Sequence, residues 1–310
     1  MTRPFVVIIT GPTASGKTSL AEALVAAVPG EIINADVGQF YTPLSIGTAK
    51  TTHGNAKYYH GFDLFNEPHE YNIADYSKAV QEWVDACSKR GNLPVIVGGS
   101  LFYIKSLLFP PVVPEIHEVE NLDIDFENSS ENLWDLLHSI DPERANALHP
   151  NDRYRVVRAL QLWQKTGQKP STMKAQLNPS FECLIIALEP VRTELDERIN
   201  QRTGQMMGMG WVEEARGVLG TEWETFVERK GMIGYSEIFD WIKNGSPVEK
   251  YQELISLIQQ KTRQYAKRQL VFWKGLRREI VQSPLITLEV IRNVSDCDLE
   301  KIIHIVKLKK

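Results

Sequence analysis

The stretch Gly11-Pro12-Thr13-Ala14-Ser15-Gly16-Lys17-Thr18 decides the fold of this 310-residue chain. It matches the phosphate-loop pattern G-x-x-x-x-G-K-[ST], and it lies between an apolar run at residues 5–9 and a helical pattern. The glycines let successive backbone N–H groups turn toward one anion at a helix N-terminus, where the helix dipole favours negative charge. Lys17 is expected to reach the terminal phosphates and Thr18 to hold a Mg²⁺ ion.

The order of the elements predicts an α/β fold with a parallel sheet. Strand-like runs at 5–9, 31–35, 93–97 and 183–188 alternate with helical patterns near 16–28, 72–91 and 100–108. Such alternation is typical of a parallel sheet that is flanked by helices. Most phosphate loops in this context bind ATP or GTP, so the class of nucleotide-binding proteins is the first expectation.

The chain is predicted to contain a helical insertion. Three prolines near residue 110 end the first α/β block, and helical segments follow near 131–138, 142–148 and 151–166 before the run at 183–188 returns to the sheet. We therefore assign 1–112 and 181–276 to a phosphate-loop α/β core with C-terminal helices, including a long helix near 247–272. Residues 113–180 form the helical insertion domain, with 115–130 as a mobile connection, and 277–310 a short C-terminal tail.

Asp36 is the candidate carboxylate of the site. The run at 93–97 ends in Gly98-Gly99-Ser100 without an acidic residue, whereas the run at 31–35 ends in Asp36. Ligands of open α/β sheets bind at the carboxyl ends of the strands, which is where Asp36 is expected. Three roles fit it at this stage: a metal ligand, a general base, or a turn residue that caps the next segment.

Composition limits the partners and the compartment. The net charge is −4, yet residues 261–278 contain seven basic and no acidic residues, which indicates a basic helix face. A second basic face is predicted in the insertion, where Arg155 and Arg158 are three residues apart. Two such faces beside a phosphate loop favour a nucleic-acid partner. Three widely spaced cysteines and the lack of a signal peptide or membrane-spanning run predict a cytoplasmic protein that binds no membrane, and we expect a monomer.

The chain resembles the tRNA dimethylallyltransferases. The blocks that carry the resemblance occur in the order of that family over roughly residues 5–275: Gly11–Thr18, Asn34-Ala35-Asp36, Ile46-Gly47-Thr48-Ala49-Lys50, Val97-Gly98-Gly99-Ser100, His149–Arg158, Ile233-Gly234-Tyr235 and Arg263–Gln269. The resemblance implies transfer of a dimethylallyl group from dimethylallyl diphosphate to N6 of the adenine on the 3′ side of the tRNA anticodon, with Mg²⁺. The phosphate loop would then bind a diphosphate that is the leaving group.

The resemblance also implies roles for individual residues. Asp36 would be the general base, Lys17 would stabilise the departing diphosphate, and Ser100 would orient the amine. The predicted tRNA-binding residues form three groups: Asp36, Val37, Gly38 and Gln39 with Ser100 at the flipped base; Tyr154, Arg155, Val156, Val157 and Arg158 in the insertion; and Arg263, Lys267, Arg268 and Gln269 in the long helix.

Departures from the family pattern keep alternatives open. Ser236 stands where the family commonly has Lys or Arg. Lys230 is a possible substitute for the phosphate contact of that basic residue. One alternative is an isopentenyltransferase that acts on free adenine nucleotides, because it shares the phosphate loop and the aspartate. A phosphate-loop kinase of small molecules and a non-catalytic RNA-binding relative are two others.

Overall fold

The fold is seen in a computed structural model that describes residues 3–50, 58–110, 126 and 132–309. The strands in these ranges are β1 (Phe5–Thr10), β2 (Gly30–Asn34), β3 (Tyr59–His60), β4 (Leu93–Gly98), β5 (Glu182–Leu188) and β6 (Ile286–Ile291). The helices are α1 (Lys17–Ala27), α2 (Ile73–Lys89), α3 (Leu101–Leu108), α4 (Leu133–Ile140), α5 (Pro142–Asn146), α6 (Arg153–Thr166), α7 (Arg192–Gly208), α8 (Trp211–Val218), α9 (Glu222–Lys230), α10 (Tyr235–Lys243), α11 (Tyr251–Ile280) and α12 (Leu299–Lys309).

The strands form one parallel sheet in the order β3-β2-β4-β1-β5-β6. The sheet confirms the predicted α/β class with helices around a parallel sheet. Ile8 of β1 pairs with Ile96 of β4 on one side and with Ile185 of β5 on the other, and all three side chains are buried. Central strands of a parallel sheet are covered on both faces, which explains why these runs are almost continuously apolar.

The order of the strands brings three loops to one edge of the sheet. Because β4 lies between β1 and β2, the segments that follow these three strands are neighbours at the carboxyl ends of the strands. They are the phosphate loop after β1, Asp36 after β2 and Gly99-Ser100 after β4. The fold alone therefore places Lys17, Asp36 and Ser100, the predicted catalytic residues, at the edge of the sheet where the strands have their carboxyl ends.

Residues after Leu276 form part of the α/β unit, which corrects the prediction of a separate short tail. They complete α11 and then form β6, which pairs in parallel with β5, and α12. Ile302 and Val306 of α12 lie in the same core cluster as Leu20 and Leu24 of α1. β6 was not predicted from the sequence, because an edge strand is only partly buried and its apolar pattern is short and weak.

The insertion is a separate compact unit of helices. Residues 109–178 cluster together, whereas the residues up to Leu108 and from Pro179 form the other unit. Leu133, Leu137 and Leu160 form the core of the helical unit with neighbours from α5 and α6. Asp141 caps α5 by accepting from the Arg144 N–H at 3.0 Å, and it also accepts from the Ser171 N–H at 2.7 Å. Apart from Phe126, the predicted mobile connection at 115–130 lies outside the described residues.

A buried charge network holds the start of β2. Glu31 is fully buried, and its carboxylate accepts two hydrogen bonds from Arg90, at 2.8 and 2.7 Å, and one from Asn92 at 2.7 Å. His60 Nε2 lies 2.6 Å from the same carboxylate, and Cys87 is also near. The carboxylate, imidazole and thiol are potential metal ligands, but the guanidinium of Arg90 already neutralises Glu31, so the network is explained as a structural ion pair.

None of the helices in the described ranges combines the length and apolarity that a membrane crossing requires.

We predict that Glu31→Gln destabilises the protein in a pH-dependent way. Burial alone raises the pKa of Glu31, but hydrogen bonds from Arg90, Asn92 and His60 outweigh burial and hold the pKa well below its ordinary value of 4.5. The stabilisation is therefore fully present above about pH 4.5 and is lost as the pH falls below it. At neutral pH the free energy of unfolding of the variant, measured in urea, should be about 2 kcal/mol lower than that of wild type, because charge-assisted hydrogen bonds are removed.

The matched control is Glu289→Gln, which removes a more exposed ion-pair partner of Lys301 and should lower the free energy of unfolding less than Glu31→Gln does. The ion-pair account would be contradicted if the difference in free energy of unfolding between wild type and Glu31→Gln did not become smaller below pH 4.5.

Candidate active site

The phosphate loop has the backbone conformation of an anion site. Ala14 and Gly16 both have left-handed backbone angles, with φ of 60° and 92°, and α1 begins at the next residue, Lys17. Alternation of this kind turns neighbouring N–H groups toward one concave face. An alanine in this conformation costs on the order of 1 kcal/mol, and such strain is found mainly where a site requires it.

Lys17 and Ser15 offer donors inside this loop. Lys17 is only 8 % exposed, and its Nζ donates to the Pro12 carbonyl at 2.8 Å. Burial lowers the pKa of Lys17 to about 8, although the nearby charge of Asp36 acts in the opposite direction. The Ser15 hydroxyl is buried without a hydrogen-bond partner among the described residues. A buried, unpaired hydroxyl beside a cation is what a phosphate oxygen would satisfy.

Asp36 is held in place by the residues around the end of β2. Its N–H donates to Asn34 Oδ1 at 2.8 Å, and the Asn34 amide donates to the Asp36 and Gly61 carbonyls. Phe40, four residues later, is fully buried among aromatic rings, with centroid distances of 5.3 Å to Tyr71 and 5.8 Å to Tyr103. The short helical turn from Val37 to Phe40 is therefore fixed at both ends.

The carboxylate of Asp36 has only long contacts with its protein donors. The Gly99 N–H lies 3.4 Å from Oδ2, and the Ser100 Oγ lies 3.4 Å from Oδ1. Ser100 Oγ in turn accepts from the Val37 N–H at 3.1 Å. Both contacts to the carboxylate are longer than a normal hydrogen bond, so its oxygens keep accepting capacity for a ligand.

A cavity of about 830 Å³ connects the loop and the carboxylate. Its walls come from Thr13–Thr18, from Asp36–Gln39, from residues 47–49, from α7, from residues 230–233 and from α11. The volume lies within the range of small-molecule sites. Asp36 and Lys17 therefore face one common space.

Arg202 adds a second cation to this space. It lines the cavity from α7, and burial lowers its pKa while the charge of Asp36 acts against that effect. The same carboxylate contributes to raising the pKa of Tyr265 on α11, for which burial is the main cause. Lys17 and Arg202 therefore share a partly desolvated cavity with Asp36, and further basic side chains line it, which favours a multiply charged anion as the ligand.

Glu214 anchors the loop that contributes residues 47–49 to the cavity wall. Its carboxylate accepts from three successive backbone N–H groups, of Ser45, Ile46 and Gly47, at 2.9, 2.6 and 3.0 Å. The Tyr235 hydroxyl donates to the same carboxylate at 2.6 Å. The anchored loop then offers the Thr48 carbonyl to the Gln39 side chain at 3.1 Å.

The structure brings together most of the predicted residues of the α/β unit. Asp36, Val37, Gly38, Gln39, Arg268 and Gln269 line the cavity with Thr13, Ala14, Ser15, Gly16, Lys17 and Thr18. Ser100 lies beside Asp36, and Gly11 and Pro12 form the start of the loop. Lys267 is exposed on α11, whereas Arg263 donates to Asn200 Oδ1 at 2.6 Å, a contact that fixes α11 against α7.

The predicted residues of the insertion lie on α6 in the other unit. Tyr154, Arg155 and Arg158 are exposed, and Tyr154 is 79 % exposed. Val156 and Val157 are buried in the core of the helical unit, so their side chains are not on its surface. Only the polar face of this helix is available to a partner.

Comparison with known proteins identifies the family of the chain. The model of the family described as IPP transferase matches residues 39–276. The chain belongs to the IPP transferase family. It is 36 % identical over 280 residues to a tRNA dimethylallyltransferase of Enterococcus faecalis, which covers 87 % of this chain and 88 % of the relative. A tRNA dimethylallyltransferase of Geobacter sulfurreducens is 34 % identical over 278 residues, with 86 % and 88 % covered.

Two solved structures of the family share the fold. A crystal structure of a full-length tRNA isopentenylpyrophosphate transferase from Bacillus halodurans is similar with a TM-score of 0.65 and 28 % identity, and it covers 99 % of this chain and 97 % of that one. A eukaryotic dimethylallyltransferase, described as acting on tRNA, is similar with a TM-score of 0.80 and 25 % identity, with 98 % and 78 % covered.

Several residues of the candidate site were not predicted from the sequence. Arg198 and Arg202 of α7 both line the cavity, and their spacing of four residues on one helix face was a usable signal. Glu214 and Tyr265 gave no comparable signal, because their partners are distant in sequence. Lys230, the suggested substitute for a basic residue at Ser236, lines the cavity but is paired with Glu70.

The C-terminal segment also supports the site. Asn293 accepts a hydrogen bond from Arg198 Nη2 at 2.5 Å, and a Cβ placed on Gly16 would lie 2.7 Å from Val294 Cγ2. The segment after β6 therefore packs directly against the phosphate loop, and only a glycine fits at this point of the loop.

We predict that the affinity for inorganic diphosphate with Mg²⁺ falls above about pH 8. Free Lys17 loses its proton near that pH, whereas the bound anion favours the protonated amine. Once the titration of the diphosphate itself is divided out, the association constant should be level below about pH 8 and then decrease, approaching tenfold per pH unit. Calorimetric titrations at a series of pH values would measure this.

The control is Lys17→Arg, whose charge persists over the whole range, so that its profile reports only the titration of the ligand. Identical pH profiles for wild type and Lys17→Arg would contradict the assignment of Lys17 to the anion.

Proposed function

We propose that this protein transfers the dimethylallyl group of dimethylallyl diphosphate to N6 of the adenine on the 3′ side of the anticodon in tRNA. The observation that carries the proposal is the common cavity of the phosphate loop and Asp36. One end of this cavity offers donors and cations for a diphosphate. The other end offers a carboxylate with free accepting capacity, which an amine nucleophile requires.

The residues of the loop act on the leaving group. As the bond between the allylic carbon and the diphosphate oxygen breaks, negative charge grows on that oxygen, and Lys17, Arg202 and the Ser15 hydroxyl stabilise it. The hydroxyl of Thr18 at the start of α1 is an oxygen ligand of the kind that Mg²⁺ prefers, and it lines the same cavity as the loop that would bind the diphosphate, so the site fits the ion. When bound, Mg²⁺ would neutralise further charge on the diphosphate.

Asp36 acts on the nucleophile. The N6 lone pair forms the new bond to the allylic carbon, and the excess proton of the amine passes to the Asp36 carboxylate. Ser100 lies 3.4 Å from that carboxylate and orients the amine through its hydroxyl. Among the roles that the sequence left open for Asp36, we favour the general base over a metal ligand or a capping residue. The reason is that the contacts of its carboxylate with protein donors are long.

The segment after Asp36 would read the base. Val37, Gly38 and Gln39 line the cavity next to the carboxylate, and Gln39 is held by the Thr48 carbonyl. An adenine within a stacked anticodon loop cannot reach Asp36, so it must be turned out of the stack into the cavity. Backbone and amide groups at this position suit recognition of the exposed base edges.

Exposed basic residues would hold the rest of the tRNA. Tyr154, Arg155 and Arg158 on α6 and Lys267 and Arg268 on α11 offer stacking and phosphate contacts. Binding of a tRNA supports action in the cytoplasm, and the complete site within one chain supports a monomer. In contrast, a kinase of small molecules has no use for these two helix faces.

The direct test is a comparison of acceptors. We expect purified protein with labelled dimethylallyl diphosphate and Mg²⁺ to transfer label to unmodified tRNA but not to AMP. Mass spectrometry of the tRNA nucleosides should detect N6-dimethylallyladenosine. The same tRNA with guanine in place of the target adenine is the matched control and should remain unlabelled.

Labelling of AMP alone would support an enzyme of free nucleotides instead. Turnover of ATP without consumption of the prenyl diphosphate would support a kinase, and binding of tRNA without any transfer would indicate a non-catalytic relative.

A further inference from the structure

Gln269 joins the two halves of the site with one side chain. It lies on α11, is only 6 % exposed, and was predicted from the sequence to bind tRNA. Its Oε1 accepts from the Thr13 N–H of the phosphate loop at 2.9 Å. Its Nε2 donates to the Gly99 carbonyl, also at 2.9 Å. Both ends of the amide are therefore engaged within the protein.

The two partners of Gln269 belong to the opposite sides of the proposed reaction. Thr13 is part of the loop that surrounds Lys17 and the diphosphate. Gly99 directs its own N–H toward Asp36 Oδ2 and precedes Ser100, which contacts Oδ1 of the same carboxylate. The peptide units on the two sides of Gly99 thus connect Gln269 to Asp36, the proposed general base. Gln269 in turn connects Asp36 to the phosphate loop.

The surroundings leave little freedom at this link. A Cβ placed on Gly99 would collide with the Gln269 amide nitrogen, so the close approach requires a glycine. If the Gln269 side chain turned toward RNA, at least one of these two hydrogen bonds would break and a backbone group inside the protein would be left unpaired, which is unfavourable. Its neighbours Lys267 and Arg268 are exposed and do not have this restriction.

We infer that Gln269 is a positioning residue of the transfer reaction rather than a tRNA contact. It keeps the phosphate loop and the Asp36 carboxylate at a fixed separation, so that the allylic carbon and the adenine amine meet at a productive distance. Misplacement of reacting groups by about 1 Å reduces rates on the order of a hundredfold. The inference rests on the proposed function, because it assigns the leaving group to one end of the link and the base to the other.

The first test is Gln269→Met, which preserves the length of the side chain and removes both hydrogen bonds. We expect kcat for tRNA prenylation to fall at least about tenfold, whereas the Kd for tRNA, measured by filter binding, changes less than about twofold. The matched variant is Lys267→Ala two residues earlier, for which we expect a weaker Kd for tRNA, because this exposed residue is assigned to a phosphate contact.

A second variant keeps the inference testable if Gln269→Met folds poorly. Gln269→Glu retains the acceptor for Thr13, and only its protonated carboxyl group can replace the donor to the Gly99 carbonyl. Its kcat relative to wild type should therefore decrease as the pH rises through the pKa of the new carboxyl group. Because all other ionisable groups are the same in both proteins, the ratio of the two kcat values isolates the new carboxyl group.

The possible outcomes separate the inference from the function. If wild type modifies tRNA but Gln269→Met loses tRNA affinity at unchanged kcat, Gln269 is an RNA contact and the inference is wrong. The inference would also be overturned if kcat of Gln269→Met stayed within twofold of wild type. It would likewise be overturned if the ratio of kcat for Gln269→Glu to kcat for wild type did not change with pH. If wild type itself transfers no prenyl group to tRNA, the proposed function fails instead.

Discussion

The attraction between Asp36 and the cations that face it, Lys17 and Arg202, is the interaction on which the site depends. The sheet creates it, because strand order places β4 between β1 and β2 and so makes the loops after these strands neighbours. Burial lowers the pKa of Lys17 and of Arg202, and the charge of Asp36 opposes that effect in both. A site of this kind binds a multiply charged anion beside a carboxylate that the anion would otherwise repel.

Side-chain links between distant segments keep this arrangement rigid. Glu214 fixes the loop at residues 45–47 by three backbone N–H groups, and Gln269 connects Thr13 with Gly99. Close backbone packing adds to them, since a Cβ on Gly98 would overlap the Ala35 carbonyl. Preorganisation of this kind is what electrostatic catalysis requires, because donors that are already in place need no reorganisation during the reaction.

Sequence reasoning predicted the parallel sheet, the phosphate loop and the position of Asp36, because each has a local pattern. It missed β6 and α12, since a partly buried edge strand has a weak period. It also missed Arg202, Glu214 and Tyr265, whose partners are set by tertiary contacts across more than a hundred residues. For Gln269 and Arg263 the resemblance suggested RNA contacts, whereas the structure engages both side chains within the protein.

The most direct measurement is the single-turnover rate of Asp36→Asn together with its affinity for inorganic diphosphate. The variant keeps the shape of the side chain but cannot accept a proton at neutral pH. We predict a loss of at least about a hundredfold in rate, within the range of general-base effects, with diphosphate affinity equal to or tighter than wild type because one negative charge is removed. A rate within tenfold of wild type, or a parallel loss of diphosphate affinity, would contradict the account.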